Sequence, residues 1–275
     1  MTDFKSSVVS KISHKSNEPL EDTIVKVLEP IGGLSNFISV KDTILIKPNF
    51  NTGDPFPAST DPDFLISVIK LITKYTSDIQ LIESSTLRAN TRKIIETLME
   101  DRLDEFKIPI ITEKEFKYQK IDLKSIGAKY LKSVKFPRIL FDPNVKIILL
   151  PCMKTHFIGE YTGALKLAVG FMERKQRIRM HISRKVPEKV AEMNLAFNSH
   201  LIIMDARNIF VTGGPASGKI ESPMKVLAGT NRVNIDIEGV KIIQSYNEKN
   251  KLTNKGTFEV RTIKRALEIG IDENR

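Results

Sequence analysis

Short apolar runs alternate along this chain with longer segments in which apolar residues recur every three or four positions. The short runs are typical of strands that are buried on both faces of a sheet, and they lie at 43–46, 79–82, 145–150 and 201–204. Weaker strand patterns lie at 4–12, 108–111 and 225–228. The longer segments are typical of helices, and they lie at 18–28, 62–72, 90–99, 231–246 and 260–268.

Strands that alternate with helical segments are typical of βαβ units. The pattern therefore predicts an α/β fold with a mostly parallel sheet, which could be mixed, and with helices on both faces. We expect residues 1–275 to form a single domain. Residues 112–143 are more charged and less regular, so they could form a small excursion that includes an edge hairpin at 134–141.

Polar residues follow each of the four strongest apolar runs. They are Lys47 and Asn49 after the first run, Glu83, Ser84 and Ser85 after the second, Lys154, Thr155 and His156 after the third, and Asp205, Arg207 and Asn208 after the fourth. Open α/β sheets bind ligands at the carboxyl ends of their strands, so parallel strands would bring these groups to one edge. Polar loops generally follow strands, so the alternative is that these residues belong to ordinary loops without a binding role.

These groups predict a site for a small anionic substrate that carries a carboxylate or a phosphate. Histidine, lysine and carboxylate groups supply general acid–base chemistry, and lysines also bind anions. The candidate catalytic residues are Lys154, His156, Glu83, Asp205 and His181. The candidate substrate-binding residues are Lys47, Asn49, Ser84, Thr162, Gly163, Lys166, Gly213 and Gly214.

The segment 161–166 is predicted to begin a helix. Thr162 would cap this helix, and its first backbone amides would attract an anion. Gly163 would let a ligand approach closely, and Lys166 follows one turn later. A capped helix with a surface lysine is the structural alternative.

A run of basic side chains surrounds His181 between Arg174 and Lys185. On a loop, such a run could clamp a phosphate or carboxylate, bind a nucleic-acid backbone, or simply be a solvated face. His156 and His181 could also bind a divalent metal together with Glu83 or Asp205, because imidazole and carboxylate suit zinc, iron or manganese. Neither histidine lies at the short spacing that metal-binding histidines often show.

The segment 213–219 matches the glycine and lysine spacing of a phosphate-binding P-loop. That motif needs Ser or Thr after its lysine, where this chain has Ile220, and a following helix, which Pro223 would break. We therefore predict a glycine-rich turn in which Gly213 and Gly214 line the pocket.

The composition narrows the function classes. Lys and Arg total 43 against 33 Asp and Glu, which favours an anionic partner or a solubilising coat. The low aromatic content of 7% disfavours stacking on single-stranded nucleic acid.

The chain has a single cysteine, Cys152, which excludes an internal disulfide and a cysteine-rich cluster within this chain. Cys152 could be a catalytic thiol beside His156 or a buried structural residue. Without a long apolar window or a secretory leader, we expect a cytoplasmic protein with no membrane partner.

Several short motifs occur in a distinctive order. They are KPN at 47–49, TDP at 60–62, ESS at 83–85, KTH at 154–156, TGALK at 162–166, His181, Asp205, GGP at 213–215, AGTN at 228–231 and Asp236. From about Thr43 to Tyr246, this order resembles the prokaryotic domain-of-unknown-function family number 362. The chain departs from the family pattern at Leu167, where the family usually has Asn, and at Asn231, where it tends to have Asp.

The resemblance implies a cytosolic or redox-associated protein, because members are often joined to ferredoxin-like iron–sulfur modules. It gives no established reaction. Three hypotheses therefore stand at this point: an enzyme acting on a small anion, a nucleic-acid-binding protein, and an accessory protein whose partner is an iron–sulfur protein of an electron-transfer system.

Overall fold

The structure of the protein is a computed structural model that describes residues 8–86 and 89–273. Its strands are β1 Ser10–Ser13, β2 Thr43–Lys47, β3 Ile79–Glu83, β4 Ile110–Thr112, β5 Tyr118–Asp122, β6 Ser133–Pro137, β7 Val145–Leu149, β8 Cys152–His156, β9 Glu160–Thr162, β10 Leu201–Phe210, β11 Ile220–Glu221 and β12 Lys225–Gly229. Its α-helices are α1 Leu20–Leu28, α2 Pro62–Ile72, α3 Thr91–Met99, α4 Ala164–Leu167, α5 Arg174–His181, α6 Val186–Met193, α7 Arg232–Gln244 and α8 Arg261–Glu268. The part of the first predicted strand that precedes residue 8 lies outside the described residues.

The main sheet has the strand order β1-β12-β10-β7-β2-β3-β4. The strands from β10 to β4 are parallel, whereas β12 is antiparallel to both β10 and β1. The predicted α/β class with a mostly parallel, mixed sheet is therefore confirmed.

Alternate side chains of the central strands are buried in two separate apolar cores. Leu45 and Ile147 belong to one core, together with side chains of α4, α6, α7 and α8. Ile44 and Ile148 belong to the other, together with side chains of α1, α2 and α3. Because apolar side chains pack against both faces of these strands, and full burial of one such side chain stabilises the fold by about 1.5–3 kcal/mol, the strand interiors are mostly apolar. Gln80 in β3 and Lys146 in β7 are half-buried exceptions.

Several helices begin where the sequence predicts. The Asp61 side chain accepts a hydrogen bond from the Asp63 amide at 2.9 Å, and Pro62 occupies the first turn of α2. Asn90 and Asn231 cap α3 and α7 in the same way. Each cap satisfies a backbone amide that has no partner within the helix, which fixes the starting residue.

The chain changes its pairing between β7 and β8. Strand β7 pairs with β10 on one side and with β2 on the other. After Pro151, β8 continues along β10, but its second neighbour is β9, with which it forms a hairpin. Strand β2 ends at Lys47, so β9 takes its place beside β8, and this exchange opens space at the carboxyl ends of β2 and β3.

Residues between β4 and β7 form a separate two-stranded sheet. Strand β5 pairs with β6 in antiparallel register, from Tyr118 opposite Pro137 to Asp122 opposite Ser133. The expected hairpin therefore lies at 118–137, earlier than the predicted 134–141, where a 3-10 turn follows β6. Val134 and Phe136 anchor this small sheet in the main core.

Two local predictions were wrong. Strand β10 does not end at Asp205 but continues to Phe210, because Arg207 on the same face of the strand compensates the buried carboxylate with hydrogen bonds of 2.7–3.3 Å. Most of the basic run does not lie on a loop but forms the helix α5, in which Arg177 and Met180 are buried, whereas Arg184 and Lys185 lie in the turn that follows. With so few buried positions, the helix shows little apolar periodicity in the sequence. No helix in the described ranges is long and apolar enough to cross a membrane.

Candidate functional site

A cavity of about 440 Å³ lies at the carboxyl ends of β2 and β3, beside the β8–β9 hairpin. Most of the predicted site residues line it, namely Lys47, Asn49, Glu83, Ser84, Lys154, His156, Thr162, Lys166 and His181. The polar lining also includes Asn51, Thr86 and Arg177, and the rest of the lining comes from Phe157, Ile158, Leu167, Val169, Gly170 and Pro215. Three of the four predicted strand-end groups therefore converge, and the group around Asp205 does not.

Lys47 and Glu83 form a buried ion pair at the ends of neighbouring parallel strands. The Lys47 Nζ lies 2.5 Å from the Glu83 Oε1, and both side chains are only 2% exposed. Glu83 also accepts hydrogen bonds from the amides of Ser84 and Phe50, each at 2.7 Å. Burial lowers the pKa of Lys47, and the Glu83 carboxylate opposes that shift. Glu83 thus orients Lys47 and the loop that follows β2.

A glycine lets the chain pass directly over this pair. The 3-10 turn Ala168–Phe171 follows α4, and a Cβ atom at Gly170 would lie 2.7 Å from the Lys47 Cε and 3.3 Å from the Glu83 Oε1. A Cβ atom essentially never lies 2.7 Å from another heavy atom, so any side chain at position 170 would displace the end of the Lys47 side chain, which is buried and held by Glu83.

Lys154 is buried and makes no ion pair with any carboxylate of the described residues, although the charge of Asp54 partly opposes the lowering of its pKa. Its Nζ donates hydrogen bonds to the carbonyl oxygens of Pro57, at 3.3 Å, and of Ala58. Burial lowers the pKa of Lys154. Carbonyl dipoles orient the ammonium group but do not neutralise its charge.

Lys166 and Arg177 add two further cations to the cavity. Lys166 is half-buried and, within the described ranges, makes no hydrogen bond or ion pair. Desolvation together with the charge of Lys154 lowers its pKa to about 8. Arg177 donates from Nη1 to the carbonyl oxygen and the hydroxyl of Ser84, at 3.1 and 2.8 Å, while its buried Nε has no partner in the described part of the chain. Burial lowers the pKa of Arg177, but a guanidinium remains charged at neutral pH.

Hydrogen bonds fix the tautomer of His156. Its Nδ1 accepts from the amides of Ile158 and Gly159, both at 3.0 Å, so the ring proton must be on Nε2. Burial, followed by the positive charges of Lys166 and Lys154, lowers the pKa of His156 to about 2. His156 is therefore a neutral hydrogen-bond donor at physiological pH.

His181 has the opposite tautomer. Its Nδ1 lies 2.7 Å from the carbonyl oxygen of Arg177, which can only accept, so Nδ1 carries the proton. Burial lowers the pKa of His181, which leaves a lone pair on Nε2 near neutral pH. The two histidines of the cavity therefore have complementary capacities, one as a donor and one as an acceptor.

The histidine and carboxylate side chains do not form the metal site that was one alternative from the sequence. In residues 8–86 and 89–273, no three His, Cys, Asp or Glu side chains come together in a group that could hold a metal ion. The only lone pair of neutral His156 already accepts two backbone hydrogen bonds, and Glu83 is held by Lys47. Asp205 is bound to Arg207 and does not line the cavity.

The predicted anion site at the beginning of α4 is also corrected. Gly163, and not Thr162, is the N-cap residue, and the Asp236 carboxylate accepts hydrogen bonds from the Ala164 and Leu165 amides at 2.6 and 3.0 Å. Gly163 makes room for Asp236, since a Cβ atom there would lie 2.2 Å from its Oδ1. The Thr162 hydroxyl lines the cavity instead, buried and without a hydrogen-bond partner in the described residues.

The glycine-rich turn reaches the cavity through one residue. Gly213 and Gly214 have φ values of +69° and +68° and do not line the cavity, whereas Pro215 does. A Cβ atom at Gly214 would lie 1.9 Å from the carbonyl oxygen of Thr155, so glycine lets the turn pack against β8. Strand β11, and not a helix, follows the turn, which excludes a P-loop here.

Cys152 fits the structural alternative. It is 1% exposed, and its Sγ lies 3.9 Å from the Thr60 Oγ1. Burial raises the pKa of the Cys152 thiol, which opposes formation of a thiolate nucleophile.

Arg177 is a residue of the cavity lining that was not predicted separately from its basic neighbours. Arg174, Lys175 and Arg179 are exposed, whereas Arg177 is 5% exposed. Arg177, Met180 and His181 lie three and four positions apart, which is the spacing of one helix face. From the sequence, that spacing could have predicted that Arg177 and His181 lie on the same face of a helix.

Comparisons with known proteins place these features in a family. A protein from Thermotoga maritima, solved as a structural-genomics target, is similar over 70% of this chain at 12% sequence identity, with a TM-score of 0.43. This chain spans about half, 52%, of that protein. A comparison with functionally curated proteins gave no match. The family model described as "Domain of unknown function (DUF362)" matches residues 44–241, well over half of the chain. The chain therefore belongs to the family of that domain, as the order of its short motifs predicts.

Proposed function

We propose that this protein is an enzyme that binds a small organic anion, a carboxylate or a phosphate, in the cavity at the carboxyl ends of β2 and β3. The observation that carries the proposal is the charge of the cavity lining. Lys47, Lys154, Lys166 and Arg177 line the cavity with Glu83 as the one carboxylate among its described lining residues. Glu83 already pairs with Lys47.

A bound anion would offset the unfavourable free energy of holding several cations in a largely buried cavity. A buried cation without a counter-charge is destabilising, and proteins rarely keep one without a function. The lowered pKa values of Lys154 and Lys166 have this same physical cause. A bound carboxylate or phosphate would accept charge-assisted hydrogen bonds from these groups and from the Arg177 Nε.

The two histidines support a proton-transfer step. The Nε2 lone pair of His181 has no hydrogen-bond donor among the described residues, and His181 would act as the general base. His156 presents a neutral Nε2–H and would donate to negative charge that develops on the substrate. Their proton positions are set by hydrogen bonds to the backbone, so the two roles would not interchange.

The anion-binding part is tested by calorimetric titration with methyl phosphate and acetate at low ionic strength. We expect Lys166→Met to weaken binding about tenfold or more, because a hydrogen bond to a charged group contributes about 1.5–3 kcal/mol. The matched control is Lys74→Met, which removes an exposed lysine outside the cavity lining. Equal affinities of all three proteins, or the absence of binding to wild type, would contradict the proposal.

The catalytic part is tested by NMR screening of carboxylates and phosphates for conversion by wild type. For any converted compound, we expect His181→Gln to lower kcat by about a hundredfold or more with little change in binding, because general base catalysis contributes about 10²–10⁴-fold. Conversion by His181→Gln at the wild-type rate would rule out the role given to His181.

A further inference from the structure

Phe157 is an exposed aromatic residue at the edge of the cavity. It is 58% exposed, although most large apolar side chains of this protein are buried. It lies in the turn of the β8–β9 hairpin and lines the same cavity as the four cations. Its ring stacks on the ring of His156, with 5.2 Å between the centroids and 15° between the planes. A neighbouring side chain therefore orients this exposed ring.

The cavity also has an apolar surface that no inorganic anion would use. Ile158, Leu167, Val169 and Pro215 line it together with Phe157. Its volume of about 440 Å³ lies in the range of pockets that bind whole organic ligands, and a carboxylate or phosphate group alone fills a small part of such a volume. The lining thus combines a cationic part, which suits the anionic group, with an apolar part, which needs a different portion of the ligand.

We propose that the ligand is an organic anion with a flat apolar body, such as an aryl carboxylate or aryl phosphate, and that Phe157 packs against this body. The inference rests on the proposed anion-binding function and names the substrate class of that site. Aromatic rings attract one another in offset-stacked or edge-to-face arrangements, and burial of the ligand ring would cover the exposed face of Phe157. Phe157 is then a specificity-determining residue, whereas the cations bind the charged group.

The experiment compares probes that share a charged group and differ in their body. Phenyl phosphate is titrated against methyl phosphate, and benzoate against acetate, on wild type, Phe157→Ala and Phe157→Tyr. The control variant is Phe258→Ala, because Phe258 is 60% exposed and does not line the cavity. The unfolding midpoint of each variant checks that the fold is retained. Since both probes of a pair use the same cations and His156, their affinity ratio reports on the apolar body alone.

We expect wild type to bind each phenyl probe about tenfold or more tightly than its methyl counterpart, because the ring buries more apolar surface. Phe157→Ala should reduce this ratio about threefold to tenfold, while Phe157→Tyr and Phe258→Ala should keep it. The inference is overturned, and anion binding stands, if wild type binds both probes of a pair equally or if Phe157→Ala keeps the full preference. Absence of binding to all four probes would overturn the inference and the proposed function together.

Discussion

The ammonium group of Lys47 lies 2.5 Å from the carboxylate of Glu83, and both side chains are almost fully buried at the ends of adjacent strands. Two backbone amides complete the coordination of the carboxylate. Gly170 packs over the pair without a side chain. The pair therefore acts as a fixed part of the cavity wall, to which the more weakly compensated cations Lys154, Lys166 and Arg177 are added.

Replacement of Glu83 by Gln should be strongly destabilising. The substitution keeps the size of the side chain but leaves Lys47 buried without its counter-charge, a change that costs about 3–5 kcal/mol in other proteins. Chemical denaturation measures the free energy of unfolding. Glu268→Gln is the control, because Glu268 is 47% exposed and its partner Arg265 keeps a second carboxylate, that of Glu192, at 2.7 Å. We expect its loss to cost no more than a surface ion pair contributes, about 0–1 kcal/mol. Similar decreases in the free energy of unfolding of the two variants would show that the buried pair contributes no more to stability than a surface pair does.

Replacement of Gly170 by Ala should displace Lys47. The new Cβ atom would lie 2.7 Å from the Lys47 Cε, and overpacking of this kind costs about 1–3 kcal/mol. Anion affinity should fall as well, because the lysine belongs to the cavity wall. The control is Gly53→Ala, where a Cβ atom would meet nothing within 4 Å. Wild-type stability and affinity in Gly170→Ala would mean that Lys47 can move without consequence.

The strands and the Lys47–Glu83 part of the site were accessible from the sequence because they depend on local pattern. A strand covered on both faces is mostly apolar, and the two apolar runs end at a charged residue, Lys47 in β2 and Glu83 in β3. Parallel pairing then brings those ends together without further information. The same rule predicted the end of β10 wrongly at Asp205. Arg207, two positions later, pairs with this carboxylate and so allows a charged residue in the middle of the strand.

The remaining features depend on contacts between distant parts of the chain. Asp236 occupies the amides at the beginning of α4 although it lies 71 and 72 positions further along the chain, so the sequence suggested a free anion site there. Arg177 reaches Ser84 across 93 positions. The tautomers of His156 and His181 likewise depend on backbone groups whose positions only the folded chain defines.

The two cavity histidines should differ in their ring nitrogen resonances. His156 accepts two amide hydrogen bonds at Nδ1, so NMR should show the Nε2–H tautomer, unchanged from pH 5 to pH 8 because its pKa is about 2. His181 should show the Nδ1–H tautomer. Variants of each histidine assign the signals. An imidazolium signal for His156 at pH 5 would contradict both its hydrogen bonding and the donor role proposed for it.

Anion affinity should fall as pH rises through about 8. Burial lowers the pKa of Lys166 to about 8, so the ammonium form that attracts an anion is lost above that pH. With acetate, whose own charge does not change in this range, affinity should be about tenfold lower at pH 9 than at pH 7. Calorimetry at both values measures it. In Lys166→Met the decrease should be much smaller, and an undiminished decrease in that variant would assign the titration to another group.

The same lysine should reduce the stability of the unliganded protein. The folded pKa of Lys166 is lowered to about 8 from an ordinary value of 10.5, so the folded state binds fewer protons than the unfolded state between these pH values. Stability therefore rises with pH across that window, and the charged lysine destabilises the fold at pH 7. Lys166→Met, which keeps a flexible apolar stem, should raise the free energy of unfolding at pH 7 by about 1–3 kcal/mol while it weakens anion binding.

A bound anion would offset the destabilising charge of Lys166 in wild type, and the variant lacks that charge. Saturating phenyl phosphate should therefore narrow or reverse the difference in unfolding free energy between the two proteins. Lys74→Met, at an exposed position, should change stability by less than about 0.5 kcal/mol. Destabilisation by Lys166→Met at pH 7 would instead identify Lys166 as a structural residue.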